Sequence, residues 1–243
     1  MESQKYKAII IGASGAIGRE LILTLLSSKK YSKITIPVRR TIEEWENLEE
    51  NDKKKLNIIK VENLDFLLLK TKEEIEKVIG NEKYDVLFNV LGSRVGKGEE
   101  EFRKVDYTYV ISSAELCEKL DINHFSHCSA FGTSKDSWFM YNRIKGEAEE
   151  EEKKKNINYI SIFKPGQLLN RRNDDRFLET VGKYIPFLPK IECKDLAFGM
   201  YIDDFNYQKN EKGNKKISIF ENSDILKIVE NGKKKVLFTP EKK

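Results

Sequence analysis

The sequence has little cysteine and no cysteine pattern. Its 243 residues include three cysteines, Cys117, Cys128 and Cys193, with neither a C-x-x-C pair nor the spacing of metal ligands. An odd and sparse set of thiols argues against a disulfide framework and favours small buried side chains in a reducing compartment. We therefore expect no disulfide and no metal site.

Long apolar runs and an excess of one charge are missing as well. No stretch approaches the roughly 20 apolar residues of a membrane-spanning helix. The opening residues MESQKYK lead directly into a strand-like run and leave no room for a secretory signal. The 44 basic and 40 acidic residues interleave, whereas nucleic-acid binders usually cluster positive charge. These absences predict a cytoplasmic location, no membrane span and no nucleic-acid partner.

The chain does contain a regular alternation of short apolar runs and longer helical patterns. Strands are predicted at Lys7–Ile11, Lys33–Pro37, Asn57–Val61, Asp85–Leu91, His124–Ser129 and Tyr159–Phe163. Helices are predicted at Ala16–Ser27, Leu64–Ile79, Glu99–Leu120 and Ser137–Lys155. This alternation indicates an α/β fold with a doubly wound, mostly parallel sheet, and the length suits a single domain over residues 1–243.

A glycine-rich turn follows the first predicted strand and opens the first helix. Gly12 lets the chain leave the strand sharply, Gly15 lets backbone approach a pyrophosphate, and Gly18 lets the helix pack close to the strand. The free N–H groups and dipole of the helix then favour the anion. The position of this turn, more than its G-x-x-G-x-x-G spacing, predicts a nicotinamide dinucleotide site.

The end of the second strand indicates which dinucleotide is bound. NAD-binding chains usually place a carboxylate there for the adenosine ribose, whereas this chain has Arg39 and Arg40 in ITIPVRRT. A guanidinium matches the geometry of a phosphate, so the two arginines favour NADP(H) over NAD(H).

A serine, a tyrosine and a lysine form a second pattern. Tyr141 and Lys145 are four residues apart on one helix face, and Ser129 ends a strand twelve residues before the tyrosine. A tyrosine hydroxyl, with a pKa of about 10, needs a nearby cation to act as a proton donor near neutrality. The pattern predicts Tyr141 as general acid, Lys145 as that cation, and Ser129 as the group that orients a substrate oxygen. Thr133 and Ser134 are nearby substitutes for the serine.

With these motifs, the chain resembles the atypical branch of the short-chain dehydrogenase/reductase superfamily, and within it the Tat-interacting oxidoreductase-like family. The shared strings are GASGAIGREL, VRR, LGSRVGKG, the F-x-x-V-D-x-x-Y run, YNRIKGEAE and IFKPGQLL, across roughly residues 6 to 230. The resemblance implies a Rossmann fold that binds NADP(H) and a Ser129, Tyr141 and Lys145 set. Where many relatives of the wider superfamily carry a proton-relay asparagine, this chain has Asp106.

The resemblance and the glycine turn together give a predicted cofactor site. Its residues lie in the turn, at the second strand end, after the fourth strand, on the tyrosine helix and after the sixth strand: Gly12, Ser14, Gly15, Ala16, Ile17, Gly18, Arg39, Arg40, Leu91, Gly92, Ser93, Tyr141, Lys145, Pro165, Gly166 and Leu168. The resemblance places the last three near the nicotinamide. Residues 165–243 are expected to form a small irregular lobe that completes the substrate pocket.

The pattern predicts an NADP(H)-dependent oxidoreductase with a small carbonyl or alcohol substrate. A rival hypothesis is an NADP(H)-binding regulator that presents a surface to protein partners with little or no turnover. A sugar-nucleotide epimerase is disfavoured because the C-terminal part is short.

Other features have simpler readings. His124 and His127 are expected to face opposite sides of a strand as structural residues. The charge run Glu147–Lys155 is interpreted as a solvated helix tail, and Phe205–Asn214 as an exposed loop. Gly96 and Gly98 are interpreted as a flexible loop over the cofactor rather than a second phosphate cradle, with Arg94 and Lys97 available to a substrate anion. Tyr184–Pro189 is interpreted as a partner-binding patch, a wall of the substrate pocket or core packing. Arg171, Arg172 and Arg176 could face a negatively charged substrate or only solvent.

Overall fold

The computed structural model of the chain describes residues 5–93, 96, 98–170, 188–210 and 214–237, with side chains as far as residue 234. Its strands are β1 Tyr6–Ile11, β2 Tyr31–Val38, β3 Leu56–Lys60, β4 Val86–Asn89, β5 His124–Cys128, β6 Tyr159–Lys164, β7 Gln167–Leu169, β8 Lys190–Glu192 and β9 Lys216–Glu221. Its helices are α1 Ala16–Ser27, α2 Glu43–Glu46, α3 Glu50–Lys53, α4 Lys72–Ile79, α5 Glu99–Arg103, α6 Tyr109–Lys119, α7 Met140–Glu152, α8 Cys193–Lys209 and α9 Asn222–Leu237.

Seven of these strands form one parallel sheet in the order β3-β2-β1-β4-β5-β6-β9. The first six positions have the strand order of a Rossmann fold. From β1 the chain adds strands first toward β3 on one side and then, from β4 onward, on the other side. The α/β fold with a doubly wound parallel sheet is therefore confirmed. Because all strands are parallel, their carboxyl ends meet at one edge of the sheet, here called the carboxyl edge.

Apolar residues cover both faces of the sheet, as the near-continuous apolar strands predict. On one face, side chains of β1 and β2 pack with α1, α8, α9 and Trp45 of α2. On the other face, side chains of β1, β4, β5 and β6 pack with α4 and α6. In α1, Ile17, Leu21 and Leu25 are buried at four-residue spacing. This spacing places their apolar side chains on one face of a helix, and that face packs against the sheet.

Three predicted elements differ from the structure. The helix predicted over Glu99–Leu120 is divided into α5 and α6 by a π-helical turn, Lys104–Thr108. The helix predicted over Leu64–Ile79 is a 3-10 turn, Asp65–Leu68, followed by α4, because Thr71 and Glu74 form a capping box that starts a new helix. The loop predicted at Phe205–Asn214 is wrong in its first half, since α8 continues to Lys209 and the Phe205 ring stacks 5.9 Å from that of Tyr201.

The described residues of the C-terminal part contribute to the main sheet and to a second, smaller sheet. Its strand β9 extends the main sheet beside β6, while α8 packs on α1. The remaining strands, β7 and β8, form a separate two-stranded parallel sheet. Within the described ranges, no helix has both the length and the apolar character to cross a membrane.

A buried polar network joins the amino ends of the strands. His124 is fully buried, with Nδ1 2.7 Å from Asp204 Oδ1 and Nε2 2.8 Å from Ser161 Oγ. The same aspartate accepts hydrogen bonds from Tyr31 and from Gln208 of its own helix. One carboxylate thus ties α8 to β2 and β5.

The two histidines face opposite sides of β5, as predicted. His124 contacts α8, whereas His127 Nδ1 lies 2.8 Å from Glu152 Oε2 of α7, with both side chains fully buried. Alternation along a strand produces this arrangement.

The network predicts a large loss of stability when Asp204 is removed. Asp204→Ala leaves the imidazole of His124 and the hydroxyl of Tyr31 without their buried acceptor, so the free energy of unfolding should fall by about 3–5 kcal/mol. Urea unfolding followed by circular dichroism measures this. Glu230→Ala, which removes one partner of an exposed pair with Lys234, is the matched control and should leave the midpoint in place. Similar midpoints for both variants would contradict the role of the network.

Candidate functional site

The glycine turn brings backbone groups too close together for larger residues. Gly12 has φ +93°, and a Cβ there would lie 2.8 Å from the carbonyl of Val90. A Cβ on Gly18 would lie 2.4 Å from the oxygen of Gly12. Gly15 instead is exposed, and its Cβ would meet only that same oxygen, at 3.2 Å. Gly12 and Gly18 are therefore required by the fold itself, whereas Gly15 opens outward.

The first turn of α1 presents its N–H groups without an internal acceptor. Gly15 is the N-cap and makes no side-chain cap, and the first turn holds no acidic residue. The beginning of this helix thus suits an anion. Arg19, in the second turn, donates to the oxygen of Ser14 and pairs with Glu44, which joins the turn to α2.

Arg39 and Arg40 directly follow β2 at the carboxyl edge, and both are exposed. Their neighbour in the sheet is β1, whose end carries the glycine turn. No hydrogen bond or ion pair joins either guanidinium to the part of the chain that the structure describes. The two side chains are thus available to a phosphate near the turn.

The loop after β4 lies against the glycine turn. The Leu91 nitrogen is 2.9 Å from the Cβ position of Gly12, and it donates to Oδ1 of the buried Asn89. Two residues later, Ser93 donates to Asp106 Oδ2 through its backbone nitrogen (2.8 Å) and its hydroxyl (2.6 Å). The loop is therefore held between the turn and Asp106.

Asp106 lies on a π-helical turn, Lys104–Thr108, between α5 and α6. Such turns are rare and often occur at functional sites. Its other oxygen, Oδ1, is 2.8 Å from Lys145 Nζ, and the side chains of both residues are buried. Burial by itself lowers the pKa of Lys145, but the electrostatic interactions with Asp106 first and with Tyr141 second outweigh it and raise the pKa above its ordinary value.

Tyr141 and Lys145 occupy one face of α7, as their spacing predicts. The ammonium of Lys145 lies 5.7 Å from the centre of the Tyr141 ring. On the other side, the fully buried Phe102 of α5 packs against the tyrosine, with ring centres 5.4 Å apart. The tyrosine is thus held between a lysine and a phenylalanine.

Glu149 extends the same helix face by one more turn and was missed in the sequence. It is 3% exposed, and its carboxylate accepts the hydroxyls of Ser129 and Thr133 on one oxygen. The Lys164 ammonium lies 3.3 Å from the other oxygen. The interpretation of Glu147–Lys155 as a solvated tail is therefore wrong for Glu149, and also for Glu152. The four-residue spacing of Tyr141, Lys145 and Glu149 was the signal in the sequence that could have placed Glu149 on this helix face.

The segment before α7 contains the candidate serines and an exposed aromatic pair. Ser134 is exposed and accepts a hydrogen bond from the Asp136 nitrogen, so among the substitutes only Thr133 reaches Glu149. Trp138 is 97% exposed and Phe139 is 76% exposed, immediately before the turn of α7 that carries Tyr141.

The segment after β6 approaches the same edge. The oxygen of Pro165 accepts a hydrogen bond from Phe131 (2.8 Å), which links this segment to the loop after Ser129. Gly166 packs against Pro189, where a Cβ would lie 1.9 Å from the carbonyl oxygen. Leu168 lies in β7 and packs against the core.

The carboxyl edge thus collects the glycine turn, the arginine pair, the loop after β4, the tyrosine–lysine pair and the serine. Gly96 and Gly98 are exposed, with open space around each. Some residues singled out in the sequence lie outside the described ranges: Arg94, Lys97, Arg171, Arg172, Arg176 and most of Tyr184–Pro189.

Comparison with known proteins agrees with this geometry. The family described as NAD(P)H-binding matches residues 12–197. The protein HTATIP2 of Rattus norvegicus is 32% identical over 174 residues, which are 71% of this chain and 67% of that protein. The mitochondrial protein FMP52 of Candida albicans is 26% identical, over 90% of this chain and 96% of its own length. The resemblance to the Tat-interacting oxidoreductase-like family is confirmed.

Solved structures share the fold. A putative NAD-dependent epimerase/dehydratase from Bacillus halodurans superposes with a TM-score of 0.61 at 22% identity, covering 93% of this chain and 99% of that one. MoeE5, in complex with UDP-glucuronic acid and NAD, has a TM-score of 0.62 at 12% identity, with 88% and 75% coverage.

The expected cytoplasmic location is wrong by these comparisons. The FMP52 relatives from four yeasts are named as mitochondrial proteins. The lack of an apolar secretory run does not bear on mitochondrial targeting, because mitochondrial transit peptides are amphipathic rather than continuously apolar.

The turn geometry predicts a loss of stability for one glycine substitution and a loss of cofactor affinity for another. Gly18→Ala forces a methyl group into backbone and should lower the free energy of unfolding by about 1–3 kcal/mol. Gly15→Ala has an ordinary φ and room in the fold, so stability should hold while NADPH affinity falls, because the methyl group faces the expected pyrophosphate. Urea unfolding and fluorescence titration with NADPH measure the two effects. Unchanged affinity in Gly15→Ala would exclude the turn as the pyrophosphate site.

Proposed function

Because the chain belongs to the NAD(P)H-binding family, in the atypical branch of the short-chain dehydrogenase/reductases, we propose that it is an NADP(H)-dependent oxidoreductase. Its substrate would be a carbonyl compound or the corresponding alcohol. The observation that carries this proposal is the placement of Tyr141 and Lys145 on one face of α7, joined through Asp106 to the loop that contacts the glycine turn.

The residues at the carboxyl edge suit a dinucleotide. The uncapped first turn of α1 offers N–H groups to a pyrophosphate, and the exposed Gly15 leaves room for it. Leu91 and Ser93 would line the path from the turn to Lys145. Lys145 itself would hold the nicotinamide ribose.

The arginine pair supports NADP(H) over NAD(H). Arg39 and Arg40 stand at the strand end where NAD-binding proteins usually have a carboxylate. Both are exposed and close to the turn, so either guanidinium can form paired hydrogen bonds with a 2′-phosphate. The absence of an acidic side chain at this strand end also avoids repulsion of that phosphate.

The cofactor, when bound, supplies or accepts the hydride, and the side chains handle the proton. In reduction, the Tyr141 hydroxyl would give its proton to the oxygen that becomes an alkoxide. The adjacent Lys145 ammonium would stabilise the phenolate that remains. Ser129 would donate a hydrogen bond to the same substrate oxygen, after its hydroxyl hydrogen turns away from Glu149, while Thr133 continues to donate to that carboxylate.

One observation favours the rival function, an NADP(H)-binding regulator without turnover. The Ser129 hydroxyl already donates to Glu149, and its side chain is largely buried. A serine fixed in this way can serve the packing of α7 against β5 rather than a substrate. The two functions differ in one measurable property, turnover.

Replacement of Tyr141 separates the two functions. Tyr141→Phe removes only the hydroxyl, so the rate of NADPH oxidation with a responsive carbonyl compound should fall by about 10²–10⁴-fold with NADPH binding retained. NADPH absorbance during a screen of aldehydes and ketones measures the rate. Tyr107→Phe, on the π-helical turn, is the matched control and should keep its activity. No turnover by the unaltered protein across the screen, with NADPH bound, would favour the regulator.

The arginine pair predicts a cofactor-specific loss of affinity. Arg39→Ala combined with Arg40→Ala removes charged donors to the 2′-phosphate, so NADPH affinity should fall by roughly 10–100-fold while NADH affinity stays. Isothermal titration with each dinucleotide measures both. Lys60→Ala, an exposed cation at the end of the adjacent β3, is the control. Equal losses for NADPH and NADH would mean that the arginines do not read the phosphate.

A further inference from the structure

The contacts of Asp106 point to a role beyond packing. Asp106 lies on the π-helical turn Lys104–Thr108 and is 1% exposed. One carboxylate oxygen takes two hydrogen bonds from Ser93, and the other lies 2.8 Å from the Lys145 ammonium. A single carboxylate thus touches the loop after β4 and the lysine of the proposed catalytic pair.

The surroundings of Lys145 make this contact necessary. Lys145 is 3% exposed, and a buried ammonium without a partner loses its proton far more readily than one in water. The titratable groups around it are Asp106 on the π-helical turn, Tyr141 on its own helix and Cys128 on β5. Tyrosine and cysteine are both neutral near pH 7 at their ordinary pKa values. Asp106 is therefore the formal negative charge among these three neighbours.

The position of the lysine depends on the same contact. A lysine side chain has a flexible four-carbon stem and three N–H donors. The position of its ammonium group is therefore set by the acceptors around it. Asp106 draws the ammonium inward, to a point 5.7 Å from the centre of the Tyr141 ring. Ser93 in turn holds the carboxylate from the opposite side.

We propose that Asp106 is a positioning residue: it keeps the Lys145 side chain as an ammonium beside Tyr141 and couples that charge, through Ser93, to the loop that contacts the glycine turn. The inference rests on the proposed function for its catalytic meaning. An uncharged amide at this position would fill the same space without balancing the ammonium.

The protonation of Lys145 can be measured directly. In protein labelled with 13C at the lysine ε-carbons, the NMR shift of each ε-carbon reports whether its amine is charged, and the resonance missing in Lys145→Arg assigns Lys145. In the unaltered protein, Lys145 should stay charged to the highest pH at which the fold persists. In Asp106→Asn, its midpoint should lie about 1–3 pH units lower than in the unaltered protein.

Two variants serve as controls for this titration. Ser93→Ala removes a partner of Asp106 but leaves its charge, so the titration of Lys145 should match the unaltered protein. Asp65→Asn removes a half-buried carboxylate that pairs with Lys104 on the same π-helical turn, and it should also leave the titration of Lys145 unchanged. Superimposable titrations of Asp106→Asn and the unaltered protein would overturn the proposal.

A second measurement applies if Asp106→Asn folds poorly. If the aspartate acts by balancing the lysine, the double variant Asp106→Asn with Lys145→Met should be more stable than Asp106→Asn alone, because no unpaired charge remains buried. Additive losses of stability would overturn the proposal. Failure of the proposed function would instead appear as absent turnover in the carbonyl screen, which leaves both of these readouts intact.

Discussion

Lys145 brings a positive charge into the protein interior, and such a charge is tolerated only beside a negative one. The local structure around α7 meets this requirement. The helix between the loop after β4 and β5 takes an extra residue in a π-helical turn, which carries Asp106 toward α7. The carboxylate then fixes Ser93 and, through it, the loop that lies on the glycine turn. The loop after β4 is therefore connected to α7 through the hydrogen bonds of Ser93 to Asp106 and the ion pair of Asp106 with Lys145.

The amino ends of the strands and the carboxyl edge of the sheet carry different kinds of side chain. At the amino ends of the strands, Asp204 and His124 form a closed network in which α8 is tied to β2 and β5. At the carboxyl edge, the arginines and the exposed Gly15 face outward. The network at the amino ends joins α8 to the sheet, and the exposed groups at the carboxyl edge suit a ligand. This is the division expected of an open parallel sheet, in which ligands bind beyond the carboxyl ends of the strands.

Much of the fold was predictable because its signals are local. The apolar strands, the glycine turn after β1 and the spacing of Tyr141 and Lys145 each follow from a few adjacent residues. Partners distant in sequence were not predictable. Glu149 looked like part of a charged tail because its partners are distant in the chain: Ser129 directly follows β5, and Lys164 ends β6. The π-helical turn at Asp106 has no helical period of its own. The break before α4, by contrast, had a local signal that was missed, the capping box of Thr71 and Glu74.

The two tryptophans are intrinsic fluorescence probes in different environments. Trp45 is 4% exposed within the core face that holds α1, whereas Trp138 is 97% exposed on the segment before Tyr141. A buried indole emits at shorter wavelength than one in water, so the two contribute separable components to the fluorescence spectrum. The reduced nicotinamide ring absorbs where tryptophan emits, and energy transfer falls steeply with distance. Quenching confined to the long-wavelength component would therefore locate a bound dinucleotide on the tyrosine side of the sheet without any chemical label.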